Sequence, residues 1–350
     1  MTGRIISIDQ KDIWSACLKS AAANYVPGPS FDQNYAALYV GENDNLEAFS
    51  FEDLGFSYFL PYVRRSVRSD LFPGDAISVI ESPYGYAGII ASTEDHGFLS
   101  HAWEQFELRM MQANVIAAFL RFDPLLQTQR YFAGPPECLV SIRDVVTPTL
   151  STNEEVLLGG CKGNVRNKIN KARRCGVKVC VSETVEQAMS FVPLYQETMS
   201  RLLAKDFYQF GPTYFKKLFC RSDTTCLIAE LEGKQIAGII GVRYGDNAIV
   251  HLSATNEIAR TNGASQLLRY ELMLSMAQLG CKKFNFGGGK TDHKKDNLLA
   301  HKKGFSNETE RFYIAKCMIN PAKHLEVTEN WLHSPYYDAD RAKYFIPYAN

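Results

Sequence analysis

Two rhythms of apolar and polar positions run along the 350-residue chain, and they predict different sets of elements in its two halves. In the first half, apolar runs at 35–40 and 46–51 flank the turn-forming cluster Gly41-Glu42-Asn43-Asp44-Asn45. That spacing predicts a β-hairpin. Aromatic-rich strands are expected at 56–63 and 76–81, a glycine–aromatic loop at 82–88, a helix at 93–113 and a strand at 115–122. Residues 144–153 (DVVTPTLSTN) are polar, contain a proline and follow neither period. They place a domain boundary there, giving domains 1–150 and 151–350, with the last ~30 residues able to pack back on the first domain.

The second half is more regular. Asn153 before Glu154-Glu155 is a helix N-cap signal, and the helix is expected to run to 174 and stop at Gly176. A strand at 177–181 follows, then helices at 184–204 and 212–219. Strands at 226–231, 236–244 and 248–254 are joined by Glu232-Gly233-Lys234 and Gly245-Asp246-Asn247, both hairpin signals. A helix at 264–279, a strand at 282–286, a helix at 295–303 and a strand at 309–318 complete the series. Such alternation predicts an α/β (α+β) fold with a mixed central sheet flanked by helices.

Composition narrows the function. Lys+Arg and Asp+Glu are equal at 38 each, which argues against a dedicated DNA-binding protein. The nine cysteines stand singly without a C-x-x-C pair, so reduced thiols and no metal site are expected. The N-terminus lacks a signal-peptide core, and no apolar run approaches the ~20 residues of a membrane helix. These features suggest a soluble cytoplasmic protein.

Several residues carry candidate chemistry. On the helix expected over 154–174, Leu158, Val165, Ile169 and Ala172 form an apolar stripe, bordered by Lys162, Arg166 and Arg173. That basic row either holds phosphates or is a solvated face. Arg260-Thr261-Asn262-Gly263-Ala264 leads into the next long helix, whose free N–H groups suit a pyrophosphate; a simple cap is the alternative. Glu271 falls in an apolar stripe with Leu267, Leu268 and Leu272. There it is either a general base with a raised pKa or a carboxylate paired with Arg or Tyr. The run Gly287-Gly288-Gly289 after a strand implies close approach by a ligand or another backbone. Lys302 can bind a phosphate or an oxyanion or lie on the surface, and His251 on a central strand lines a cleft or fills a core.

Five stretches together resemble the FemAB-like group of the GNAT acyltransferase superfamily. They are SPYGYAG at 82–88, GNVRNKINKARRCGV at 163–177, YQETMSRLLAKDFYQF at 195–210, the Gly263-to-Glu271 helix start with FNFGGG at 284–289, and LLAHKKGFS at 298–306. The resemblance implies two tandem GNAT-like domains, the first degenerate, with substrates held in a cleft between them. It implies transfer of an acyl or aminoacyl group to an amine. The donor would be acyl-CoA, such as acetyl-CoA, or an aminoacyl-tRNA. The acceptor would be a small molecule, a peptidoglycan precursor or a lipid- or nucleotide-linked sugar. The family's Phe-Lys-x-x-Phe motif falls on His301, Lys302 and Phe305, with His301 in place of the first aromatic. Lys302 and Glu271 would be catalytic. Arg260, Asn262, Gly263, Ala264, Gly287, Gly288 and Gly289 would bind the donor. Tyr84, Tyr86, Arg166, Asn167, Tyr208 and His251 would face the acceptor.

Overall fold

The computed structural model describes residues 3–23, 25–74, 76–291 and 296–349. Its chain divides into two compact units: Met1–Ile142 with Phe312–Asn350, and Arg143–Arg311. Along the chain the strands are β1 (Arg4–Ser7), β2 (Asn45–Asp53), β3 (Phe56–Ser66), β4 (Ser78–Glu81), β5 (Ile90–Ala91), β6 (Val115–Arg121), β7 (Leu139–Val146), β8 (Lys178–Val181), β9 (Thr224–Leu231), β10 (Lys234–Tyr244), β11 (Asn247–Thr255), β12 (Lys283–Asn285) and β13 (Thr309–Met318).

The first unit is built on a mixed sheet of order β1-β2-β3-β4-β6-β13-β7, with β5 beside β3. Helix α1 (Lys11–Ala21) buries Trp14 and Cys17 against Ala48, Phe59 and Val63. Helix α2 (Gln33–Ala36) follows, and α3 (His96–Gln112) lies on the opposite sheet face, where Trp103 and Phe106 meet Phe49, Tyr58 and Leu120. The expected hairpin of 35–40 with 46–51 does not form. Buried Tyr35, Ala36 and Tyr39 follow a helical rather than a twofold spacing, and the Asp32 side chain caps α2 by accepting from the Tyr35 N–H. Strand β2 pairs with β3 instead, through a two-residue turn at Leu54 and Gly55, both with positive φ.

The second unit holds a five-stranded sheet of order β12-β11-β10-β9-β8, antiparallel except for β11 with β12. The helix expected over 154–174 is two helices, α4 (Glu154–Gly159) and α5 (Gly163–Arg174), broken at the poor helix formers Gly159 and Gly160. The helix expected over 184–204 likewise divides into α6 (Val185–Met189) and α7 (Phe191–Arg201), followed by α8 (Pro212–Phe219). An unexpected short helix, α9 (Glu257–Asn262), is capped by Asn256 and precedes α10 (Ala264–Gln278). Helix α11 spans Asn297–Lys302; its expected start at Lys295 lies outside the described residues. Two glycines of β10 let helices close on the sheet from both faces: a Cβ on Gly238 would strike Phe191 of α7, and one on Gly241 would strike Met276 and Leu272 of α10. Helix α12 (Pro321–Leu332) follows β13 and returns to the first unit, where Val327 and Trp331 pack on Val79, Ile116 and Ala117.

Candidate active site

The second unit's sheet opens where its parallel pair ends. Strands β11 and β12 pair only over residues 247–249 with 283–285. Beyond that, β11 continues to Thr255, while the chain after β12 turns at Gly287 (φ 74°) and bonds to residues 145–146. Leu252 faces Ile240 and Val250 faces Gly241, so His251 is the extra residue of a β-bulge at this opening.

Side chains from α10 and α11 meet beside the opening. Lys302 donates from Nζ to the Gly288 carbonyl (2.7 Å). Gln266 and His301 share a hydrogen bond (3.1 Å), and Arg269 donates to Ser265 Oγ (2.6 Å) and, across to β11, Ser253 Oγ (3.4 Å). Arg143 donates to the Gly289 carbonyl (2.7 Å). Burial, reinforced by Arg269, brings the Lys302 ammonium down to about 8. Burial and the surrounding cations hold His301 at about 4, hence neutral at pH 7, and burial lowers Arg269 to about 10. Asp296 caps α11; backbone N–H groups of Leu299, Thr291 and Lys290 hold its carboxyl at about 2. His301 takes the place of the missing aromatic by setting its ring edge-on to Phe305, with centroids 5.9 Å apart.

The glycines are crowded by the protein itself. A Cβ on Gly289 would meet the Asp296 carboxyl at 2.6 Å, and one on Gly288 would meet Arg143 Cδ at 2.8 Å and the Asp144 carbonyl at 2.9 Å. Gly263 has φ +88°, and a Cβ there would lie 2.3 Å from the Lys168 carbonyl on α5. Arg260 and Asn262 belong to α9 rather than to an open loop, and Asn262 Oδ1 already accepts the Ala264 N–H (3.0 Å). The open anion cradle expected at 260–264 is thus replaced by a close contact between helices, with Arg260 exposed and facing Glu257.

Glu271 does not join the Lys302 group. It lies about 160° around α10 from Arg269, and its Oε1 accepts from Arg173 on α5 (3.1 Å). This is the paired-carboxylate alternative, since a charge on the α5–α10 contact needs its partner there. Arg166 donates to the Cys161 carbonyl and so ties α5 to the end of α4, while Asn167 is exposed. Lys162 is the N-cap of α5 rather than a helical residue. Tyr208 is exposed in the connection between α7 and α8, its carbonyl held by the Tyr195 hydroxyl (2.8 Å). His251 bonds through Nε2 to the Tyr214 hydroxyl (2.6 Å), and burial drops its pKa to about 3. Tyr84 and Tyr86 belong to the first unit, against Tyr39 and Phe312 respectively. Sequence reasoning missed Arg269, Arg143, Gln266 and Asp296. The available signal was Arg269 itself, a cation inside the apolar run LLRYELML.

Among the described residues no cluster of three His, Cys, Asp or Glu side chains could hold a metal, and no helix is long and apolar enough to cross a membrane. Residues 160–295 match the family model described as an acetyltransferase (GNAT) domain. No curated protein sequence matches significantly. Among solved structures, FemX aligns over 93% of this chain and 99% of its own at 13% identity, with a TM-score of 0.69. The C-terminal domain of a putative lysylphosphatidylglycerol synthetase from Agrobacterium fabrum covers 87% and 91% at 15% identity (TM-score 0.58). L-PGS from Bacillus licheniformis covers 91% and 94% at 11% identity (TM-score 0.56). Residues 160–295 thus match an acetyltransferase (GNAT) domain, and the chain as a whole shares the fold of FemX.

Proposed function

We propose that the second unit transfers an acyl group from acyl-CoA to an amine of a cell-envelope or polysaccharide precursor. The observation that carries this reading is the Lys302 ammonium, fixed on the Gly288 carbonyl beside the opening between β11 and β12. The acceptor nitrogen attacks the thioester carbonyl and forms a C–N bond. The carbonyl π electrons move to oxygen, and the lysine ammonium and backbone donors offset that charge. Collapse breaks the C–S bond, releases the coenzyme thiolate, and the proton shed by nitrogen ends on that sulfur or in water. Lys302 is thus a catalytic residue in this proposal, while Glu271 positions α10 against α5 through Arg173.

An anionic donor fits the cations of the site, although the 260–264 segment has little room to wrap a pyrophosphate. The names of the lysylphosphatidylglycerol synthetase relatives join a lysyl group to a phospholipid, which supports an envelope acceptor. Intact mass spectrometry of amino sugars and precursor peptides incubated with acyl-CoA donors tests the reading. The expected result is an acyl mass gain that depends on the protein and on Lys302. RNase-sensitive transfer from aminoacyl-tRNA, with no gain from any acyl-CoA, would replace the donor. Firm binding of a glycan precursor with no donor bound would remove the catalytic reading altogether.

A further inference from the structure

We propose that Arg269 and Arg143, beside Lys302, form a binding site for a phosphate group carried by one of the two substrates; this rests on the second unit being the transfer site. Arg269, Lys302 and Arg143 form no ion pair with a carboxylate among the described residues, although each is at least half-buried. Arg269 donates only to neutral acceptors: the Ser265 carbonyl (3.2 Å), Ser265 Oγ and Ser253 Oγ. Lys302 and Arg143 end on the carbonyls of Gly288 and Gly289, and Arg143 Nε is buried with no acceptor. Among the described residues Asp296 is the one carboxylate acting on Lys302. Its oxygens are already taken by the N–H groups of Lys290, Thr291 and Leu299 and by the Thr291 hydroxyl.

Cations withdrawn from water are costly unless an anion meets them. Among the described residues three cations stand against one carboxylate, an excess of two positive charges that a phosphate dianion cancels and a substrate carboxylate does not. A guanidinium offers phosphate a two-pronged donor, and this site supplies two of them beside the catalytic lysine. The segment 260–264 does not compete for the same group, because the Lys168 carbonyl closes on Gly263 and Asn262 occupies the Ala264 N–H.

Calorimetric titration of the full chain with inorganic pyrophosphate and inorganic phosphate tests the site without turnover. Saturable binding is expected for the parent protein, weakened at least about tenfold in Arg269→Gln, as befits loss of a charge-assisted contact, and unchanged in Arg173→Gln on the other face of the α5–α10 contact. Thermal unfolding confirms that each variant is folded, and Arg269→Lys restores part of the affinity. No pyrophosphate binding by the parent, or equal binding by a folded Arg269→Gln protein, overturns the proposal. If pyrophosphate binds but no acyl transfer is found, the phosphate site stands and the transferase reading fails. Two kinetic arms assign the source. If Arg269→Gln removes the advantage of acyl-CoA over acyl-pantetheine in KM, the phosphate is the donor's. If it removes the advantage of a nucleotide-linked amino sugar over the free sugar, the phosphate is the acceptor's. A variant that changes neither preference removes the substrate phosphate from the proposal.

Discussion

Two groups of half-buried positive charge, one in each unit, are treated in opposite ways. On strands β3 and β6 of the first unit's sheet the half-buried arginines meet carboxylates: Arg64 meets Glu47 at 2.7 Å, Arg65 meets Asp44 at 3.0 Å, and Arg65 and Arg121 share Glu81. In the second unit, Arg269, Lys302 and Arg143 lie close together and rest on carbonyls and hydroxyls. Paired charges fix strands β2, β3, β4 and β6 relative to one another and need nothing further. Unpaired ones hold a region of positive potential ready for an incoming group, at the expense of the empty protein's stability.

The sharpest way to break this contrast is at Lys302. Lys302→Ala should reduce transfer by about 100-fold or more, the scale of losing one oxyanion-stabilising group, with little change in thermal unfolding. Steady-state kinetics beside a melting curve reads both, and full activity would end its catalytic role. Gly263→Ala should destabilise the second unit by about 3 kcal/mol, since the new Cβ meets a backbone carbonyl and φ is +88°. Gly176→Ala, also at positive φ but with nothing within 4 Å, should cost only about 1 kcal/mol. Denaturant titration measures both.

The comparison between the units becomes quantitative with a matched pair of substitutions. Arg65→Met should lower the melting temperature, because it leaves part of the Asp44 and Glu81 charge unanswered. Arg269→Met should leave it unchanged or raise it in the ligand-free protein, since it removes an uncompensated cation. Each effect should be about 1 kcal/mol. Equal losses in both would erase the distinction drawn here.

Acidity gives the mildest test. Transfer should decline as pH rises through about 8, where Lys302 loses its proton. Stability should move the other way: the unfolded lysine, near 10.5, binds more protons than the folded one between about 8 and 10.5, so this group adds stability across that window. Below pH 6.5 the buried neutral His301 and His251, at about 4 and about 3, should withdraw stability as acid increases. A flat melting temperature between pH 6.5 and 4 would contradict their burial.

Much of the second unit was readable from the chain because its strands and helices are long enough to show their period. β10, β11 and α10 fall within one or two residues of expectation. The 35–40 run misled because it is short, and six consecutive apolar residues read almost equally as strand or helix. Helix α9 escaped because a six-residue helix has hardly a period to show. At the site, the glycines signalled crowding, but not what crowds them. The Lys168 carbonyl is 95 residues from Gly263 and Asp296 is seven from Gly289, and only the packed helices bring them together. Arg269 and Glu271 are two positions apart on one helix, yet they face opposite ways, one toward Lys302 and the other toward Arg173.

The return of the chain to the first unit has a consequence for how the protein emerges from the ribosome. Strand β13 pairs with β6 through residues 314–318, and α12 seats Trp331 on the same sheet. The sheet begun by β1 to β6 therefore waits, with an open edge and an uncovered apolar face, until almost two hundred further residues have been translated. The second unit, contiguous from 143 to 311, can fold during that interval. A nascent chain stalled with residue 311 just clear of the ribosome would display a folded second unit tethered to a sticky, half-assembled first one, the state in which chaperone binding should be strongest.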